Sequence, residues 1–388
     1  MDSARANHLR GSFKFSGIGL HKETASVDVA SIGLSVANGN DSTAVISFAV
    51  LTDADVSAWT IAEELHTLEY DLPFDDVVDN YVRSQDYDTA IQNYAGVLLE
   101  CGKSDQFVYF TDPHLLPKND FQLKFMEYTG VIGRMYDKTP TEFALCGGDW
   151  LVDGTTPTEA VFRLSLMDGR MKELFGERYF PMFGNHDDNI QGVEVDGVKQ
   201  FSQDMIDNTM FSRFGKSYYS FDSKQATYYV LDSEQDSTPA LSMNAHKWQQ
   251  IDWLAKSLKE KDSQNNVICM HIFFNYPFTV GDSLVALADN AEKVASAYNS
   301  KTTITLNGIT YDFTATSGKV RFMLGGHLHS DASDTVNYSV PIIMRTTTLE
   351  GRTPCYDLAI ADWDNLKLKM LRIGGNRPET VDEFNMAD

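Results

Sequence analysis

The chain has 388 residues, 43% of them hydrophobic and 22% charged, a balance that supports a buried core and excludes a disordered, collagen-like or coiled-coil chain. Lysine and arginine number 32 against 55 aspartates and glutamates, for a net charge of −23. So acidic a surface repels nucleic-acid phosphates and no basic cluster offsets it, so general nucleic-acid binding is not expected.

No apolar run approaches the roughly 18 residues a membrane helix needs, and residues 1–20 hold no stretch apolar enough for a secretory leader. A cytoplasmic location is therefore expected, unless a leader has been trimmed away, with no membrane partner. The four cysteines (Cys101, Cys146, Cys269, Cys355) form no Cys-x-x-Cys pair, which argues against a thiolate zinc site. Cys146 and Cys269 lie in apolar runs and read as buried, reduced core residues.

From the N-terminus, residues 26–51 alternate apolar and polar side chains around the turn-rich ANGNDST, which predicts two strands and a hairpin. Helices are expected at 56–70 and 75–100. Between Asp41 and Glu100 there are thirteen acidic residues and one base, Arg83. That run reads first as a solvated face; a docking surface for a basic protein partner is the alternative. The pattern changes at 103–105, which divides the chain into an acidic N-terminal extension or small accessory domain, 1–104, and a larger unit, 105–388.

In the larger unit five apolar runs each end in a short polar cluster. FVYFT leads to Asp112-Pro113-His114, FALC to Gly147-Gly148-Asp149, and YFPMF to Gly184-Asn185-His186-Asp187. NVICM leads to His271, and VRFML to Gly325-Gly326-His327-Leu328-His329. Each run is four to six residues long and rich in β-branched or aromatic residues, as buried strands are. Asn119 with Gln122 and Thr156 with Glu159 have the spacing of capping boxes, and Pro157 suits a first helical position. Strand–helix alternation points to a largely parallel sheet with helices on its faces, and ligands of such sheets bind beyond the carboxyl ends of the strands. All five clusters fall at that end.

Five of the nine histidines (His114, His186, His271, His327, His329) are in these clusters, with Asp112, Asp149, Asn185 and Asp187. Imidazoles with carboxylate and amide oxygens suit Zn, Mn, Fe or similar divalent ions. A lone histidine after a strand is usually a hydrogen-bonded loop residue. Five such clusters in order are hard to explain as packing, because carboxylates and imidazoles gathered without a cation stay poorly solvated.

The ordered set Asp-x-His, Gly-Gly-Asp, Gly-Asn-His-Asp, His and Gly-His-x-His resembles the calcineurin-like metallophosphoesterase family over residues 107–329. The resemblance implies a two-sheet α/β/β/α sandwich, here with an N-terminal β-plus-α extension, the runs PIIMRTTT, CYDLAIADW and KLKMLRI completing a second sheet. It also implies two divalent metal ions: Asp112, His114, Asp149 and His329 around one, and Asp149, Asn185, His271 and His327 around the other, with Asp149 bridging. In such sites the paired ions lower the pKa of a bridging water and clamp the phosphoryl oxygens. The bridging hydroxide then attacks phosphorus in line, and His186 is the candidate for protonating the leaving oxygen. Asp187 is either the residue that orients the His186 ring or a plain turn residue. The iron-tyrosinate branch of the superfamily carries Tyr three residues after the bridging Asp; Val152 stands there, so that redox-active site is not expected.

The implied activity is hydrolysis of small phosphate mono- or diesters, and the alternative is a non-catalytic binding or scaffold protein of the same fold in a larger assembly. Two insertions, 189–216 and 281–318, are expected to shape the substrate pocket, the second holding a helix (283–298) and a hairpin (TTITLNGITYDF). Phe201, Phe211, Phe214, Tyr218, Tyr219, Phe274 and Tyr276 fall in or beside them. They read first as core or loop anchors and second as a stacking surface for a base or sugar.

Overall fold

The structure, a computed structural model, describes residues 18–22, 25–38, 44–52, 67–70, 87–114, 139–151, 157–187, 211–233, 242–274, 284–345, 355–374 and 381–388. Through residue 91, and at 157–162, 166 and 374, only the backbone is described.

At the N-terminus β1 (Ile18–Lys22), β2 (Ala25–Asn38), β3 (Ala44–Thr52) and β4 (Thr67–Tyr70) form an antiparallel sheet in that order. The expected hairpin is β2–β3, with Ala44 opposite Asn38. The helix expected over 56–70 is corrected at its end: 67–70 is a strand paired with β3, where Thr, Leu and Tyr suit an extended edge. The rest of that span lies outside the described residues. The helix expected over 75–100 appears as α1 (Tyr87–Leu99), which buries Tyr94 and packs Val97 and Leu98 on the main core.

The larger unit is built on two six-stranded sheets. The first has the order β14 (Ala332–Asp334), β15 (Ile342–Met344), β13 (Lys319–Gly325), β10 (Asn265–Cys269), β9 (Thr227–Val230), β8 (Tyr219–Asp222). The second has the order β18 (Val381–Asn385), β17 (Lys367–Gly374), β16 (Cys355–Asp362), β5 (Ser104–Phe110), β6 (Phe143–Cys146), β7 (Tyr179–Pro181). The five cluster-bearing runs are thus shared between two sheets: β5, β6 and β7 run parallel in one, β10 and β13 parallel in the other. The run PIIMRTTT belongs with β13, through β15, while the two later runs pair antiparallel beside β5. Runs buried on both faces carry no local mark of their neighbour, so the single parallel sheet read from alternation divides into two.

Period-two alternation explains how the sheets stack. Tyr228, Val230, Val267, Cys269, Phe322, Leu324 and Ile343 project toward the second sheet, while Tyr229, Ile268, Met270, Met323, Ile342 and Met344 face an outer core. That outer core is closed by α3 (Ala245–Lys261) and α4 (Ala286–Ser300). On the second sheet α2 (Pro157–Phe175) begins at Pro157, as expected, and contributes Leu164, Met167 and Met171 to the core. Aromatic rings fill the space between the sheets. Tyr228 meets Phe107 and Phe143 edge-on at 6.0 and 5.2 Å between centroids, a geometry that the ring quadrupoles favour.

The hairpin expected in TTITLNGITYDF is β11 (Thr303–Leu306) and β12 (Ile309–Asp312). Asn307 and Gly308 form its two-residue turn at φ 48° and 75°, the left-handed pair this connection requires. The capping residues Asn119, Gln122 and Thr156, the position Val152, and residues 189–210 of the first insertion lie outside the described residues. All four cysteines are free, with Cys146, Cys269 and Cys355 buried. No described helix is long and apolar enough to cross a membrane.

Candidate metal centre

Each sheet delivers its polar clusters to the same place. Asp112 and His114 follow β5, Asp149 follows β6, Asn185, His186 and Asp187 follow β7, His271 follows β10, and His327 and His329 follow β13. Backbone bonds lace the loops together: Asp112 N donates to the Gly148 carbonyl at 2.9 Å, His114 N to the Asp149 carbonyl at 3.0 Å, and Gly326 N to the His271 carbonyl at 3.1 Å. Chain reversal at these ends uses left-handed backbone. Asp112 (φ 54°), His114 (45°), Asp149 (57°), His327 (73°) and His329 (49°) account for five of the nine described non-glycine residues with positive φ. Each costs about 1–2 kcal/mol relative to right-handed backbone. Strain of this kind persists only where surrounding structure fixes it, which is characteristic of functional sites.

The side chains converge closely. His114 Nε2 lies 2.9 Å from His329 Nε2, His329 Nε2 3.3 Å from Asp112 Oδ1, and His271 Nε2 3.0 Å from Asp149 Oδ2. His327 Nδ1 is 2.9 Å from Asn185 Oδ1. Donor atoms bound at about 2.1 Å to one ion sit roughly 3.0–3.4 Å from each other, so these separations are those of shared coordination. Two sets of candidate ligands keep their donor atoms within 4.8 Å of one another: Asp112, His114, Asp149 and His329, and Asp149, His271 and His327. They share Asp149, the residue that the resemblance makes common to both, and Asn185 lies beside the second set through its contact with His327.

The residues fit a pair of cations on independent grounds. Asp112 Oδ1, Asp149 Oδ2 and His271 Nε2 are buried and none has a hydrogen-bond partner, although the other side-chain polar atom of each of these residues is engaged. Asp112 Oδ2 accepts from Thr111 Oγ1 at 2.7 Å and His327 N at 3.1 Å. Asp149 Oδ1 accepts from His186 N at 2.9 Å, and His271 Nδ1 meets the Gly147 carbonyl at 2.5 Å. Leaving three adjacent buried atoms unsatisfied is costly unless something positive occupies the space between them. The His271 contact also fixes its tautomer, with a proton on Nδ1 and a lone pair on Nε2 available to an ion, the arrangement common for metal-binding histidines.

Charge states follow the same geometry. Burial pushes the Asp112 carboxyl up, but the charge of His271 and contacts with His114 and His329 outweigh it and hold it well below the usual range. Asp149 falls to about 2 for similar reasons, burial being overcome chiefly by His271. Burial depresses His271, yet the Asp149 and Asp112 carboxylates carry it up to about 10. His327 drops to about 4 through burial and the nearby His271 charge. Without a cation, a proton on His271 between the carboxylates takes the place of metal charge.

Of the two readings of Asp187, orienting the His186 ring or serving the turn, its contacts favour the second. Its Oδ2 accepts from Asp149 N at 3.0 Å and Gly184 N at 2.9 Å, and its Oδ1 from Leu151 N at 3.0 Å. Both oxygens are thereby committed to backbone amides, so the carboxylate ties the Gly-Gly-Asp loop to the Gly-Asn-His-Asp loop and does not orient the His186 ring. Burial, followed by the Asp149 charge, raises its pKa to about 7. His186 itself stands at the rim, its side chain 24% exposed. Its ring packs edge-on against His114 at 4.8 Å, with Nε2 3.9 Å from Asp149 Oδ2.

Two glycines explain the tight lacing. A Cβ on Gly326 would fall 2.0 Å from Thr111 Oγ1, and one on Gly184 would fall 2.2 Å from both Asp149 N and Asp149 Oδ1. Backbone cannot yield as a flexible side chain can. Gly184→Ala is therefore expected to displace Asp149 and to destabilise the fold by about 3 kcal/mol, the upper end for overpacking. Thermal unfolding together with Mn²⁺ uptake checks this; unchanged values of both would contradict the close approach.

Among the expected aromatics, Phe211, Tyr219 and Phe274 are buried, Phe214 stacks on Tyr219 at 3.6 Å, and Tyr219 donates to the Pro181 carbonyl. Core anchoring is their role; Phe201 and Tyr276 lie outside the described residues. A polar cluster the sequence reading passed over, Asp232-Ser233 after β9, also reaches the site. Ser233 Oγ accepts from Ile272 N at 3.2 Å, fixing the backbone beside His271, and Asp232 accepts from Ser217 Oγ at 2.5 Å. Its signal was the run TYYVL before Asp-Ser, which lacks the glycines and histidines that mark the other five.

No family model matches the chain, and no curated protein matches it. Among solved structures, a dimetal phosphatase from Danio rerio aligns at 13% identity and TM-score 0.48, over 71% of this chain and 98% of its own. GAP50, described as the anchor in the inner membrane complex of Plasmodium, aligns at 11% and 0.39 over 74% of this chain and 90% of its own. The Haemophilus influenzae NAD nucleotidase aligns at 11% and 0.37, over 73% of this chain and 54% of its own. At such identity and overlap none of them bears on what this chain does. In its two-sheet α/β/β/α architecture, and in the order and convergence of its site residues, the chain resembles the calcineurin-like metallophosphoesterases.

Proposed function

We propose that the protein is a dinuclear metal-dependent hydrolase of small phosphate esters, mono- or diesters. The observation that carries this reading is the meeting of Asp112 Oδ1, Asp149 Oδ2 and His271 Nε2, three buried atoms without hydrogen-bond partners, inside two overlapping ligand sets. Two divalent ions held there, of the Mn, Zn or Fe kind, would supply the positive charge that draws a phosphate to so acidic a protein and would activate water at neutral pH. The chain's own residues do the rest. Asp112, His114, Asp149, Asn185, His271, His327 and His329 act as ligands; Thr111 and the Gly147 carbonyl hold Asp112 and His271 in orientation. Asp187 holds the Asp149 loop, and Ser233 the His271 backbone. His186, at the exposed edge, can give a proton to the departing oxygen, a role open to an imidazole near neutral pH.

Purified protein with added Mn²⁺ is expected to hydrolyse an aryl phosphate monoester or diester and to lose that activity on dialysis against a chelator. Readdition of the ion should restore it. Hydrolysis that persists after complete metal removal would refute the proposal.

A further inference from the structure

Five charged side chains form a node behind the site, and none belongs to its motifs. Arg345 directly follows β15, and its N–H donates to the Gly325 carbonyl at 2.9 Å, at the root of the His327–His329 loop. Its guanidinium grips Asp357 in two bonds, Nε to Oδ2 at 3.0 Å and Nη2 to Oδ1 at 2.9 Å. Asp357 is fully buried on β16 opposite Tyr109, three residues before Asp112 on the neighbouring strand. Arg372 on β17 reaches the same carboxylate, Nε to Oδ1 at 2.8 Å, and passes Nη2 to Asp331 Oδ1 at 2.9 Å. Asp331 lies two residues beyond His329. Asp382 on β18 accepts from Arg345 Nη1 at 2.7 Å.

The node spans the two sheets just as the metal ligands do. Arg345 comes from the first sheet, Asp357, Arg372 and Asp382 from the second, and Asp331 from the loop of His327 and His329. The ligands divide likewise, Asp112, His114, Asp149 and Asn185 from the second sheet and His271, His327 and His329 from the first. Apolar packing alone would hold the sheets together, and a buried ion network seldom exceeds it in stability. What guanidinium forks add is direction, because a carboxylate seats on them in one geometry. Here that direction runs from the strand beside Asp112 to the loop that bears His329.

We propose that Arg345, Arg372, Asp357 and Asp331 form an inter-sheet clamp that sets the position of His329. The clamp thereby tunes the cation position shared by Asp112, His114, Asp149 and His329, and leaves the position of Asn185, His271 and His327 unaltered. This rests on the dinuclear reading above, with Asp331 as a positioning residue. Asp331→Asn keeps the side chain's shape at a residue that is one-fifth exposed. Mn²⁺ alone is titrated into metal-free protein and followed by calorimetry and by the Mn²⁺ spin resonance signal. The unsubstituted chain is expected to take up two ions. The variant should bind one as before and the other about 10-fold more weakly, the low end of the loss when a group bonded to a ligand itself is removed, because Asp331 acts on His329 through the loop backbone. Its metal-free unfolding temperature should stay close to that of the unsubstituted chain. Asp382→Asn, which opens the same node away from the ligand loop, should leave both steps intact. The clamp is overturned if both steps of Asp331→Asn match the unsubstituted chain, if both weaken together, or if Asp382→Asn gives the same loss. An unsubstituted chain that takes up no Mn²⁺ overturns the dinuclear reading, and the clamp with it.

Discussion

Asp149→Asn is expected to lower turnover of an aryl phosphate ester by about 10³-fold or more, or about 4 kcal/mol of transition-state stabilisation. The substitution conserves size, and one backbone contact dictates how the amide must sit. Asp149 Oδ1 accepts from His186 N at 2.9 Å, so the amide oxygen takes that place. Its NH₂ group then points where Oδ2 stood, 3.0 Å from His271 Nε2 and 3.7 Å from His114 Nε2. A ligand common to both cation positions becomes a group that repels cations. Mn²⁺ uptake should fall to one ion or none, and the metal-free protein, having lost the carboxylate that pairs with protonated His271, should unfold at a lower temperature than before. A variant that still bound two ions and turned over within about tenfold would show that Asp149 does not bridge.

The site was legible because its chemistry is written at strand ends. An apolar run followed by Asp, His or Asn marks a strand end and a polar residue there, and the seven residues that the resemblance offers as ligands lie close together in the structure. Strand partnership was not legible. Residues 342–344 and 355–362 are both short buried runs, yet one joins β13 and the other β5. Nothing within a segment buried on both faces distinguishes those neighbours; pairing is settled by the chain connections and by packing between sheets.

Direction was also beyond reach. Asp187 follows His186 in sequence, which invites a contact between them, but the turn after β7 aims the carboxylate back at the amides of Gly184, Asp149 and Leu151. A short acceptor side chain near three unpaired amides is held there by the cost of leaving those amides buried and unsatisfied. Arg345, Arg372 and Asp357 lie in runs that otherwise read as core, and their meeting depends on β15 and β17 arriving from different sheets. The acidic N-terminal portion shows the limit of composition: residues 67–70 carry helix-compatible Leu and Glu, and pairing with β3 draws them into a strand.

His186→Gln is expected to slow turnover of an alkyl phosphate ester by about 10²–10³-fold, within the usual contribution of a positioned proton donor, while Mn²⁺ uptake remains at the unsubstituted level. A backbone bond ties His186 to the site. Its backbone N–H, which glutamine retains, makes the bond to Asp149 Oδ1, and its Nε2 stands 3.9 Å from Asp149 Oδ2 at the exposed rim. A choice of leaving groups separates proton donation from simple packing against His114. A nitrophenolate departs readily without a proton, whereas an alkoxide does not. The loss on His186→Gln should therefore be small with a nitrophenyl ester and largest with an alkyl ester. Equal losses on both substrates would assign His186 to binding or packing, and loss of bound ions would place it among the ligands. A deficit that grows with the basicity of the departing oxygen, at constant metal content, is what a proton held at the His186 ring requires.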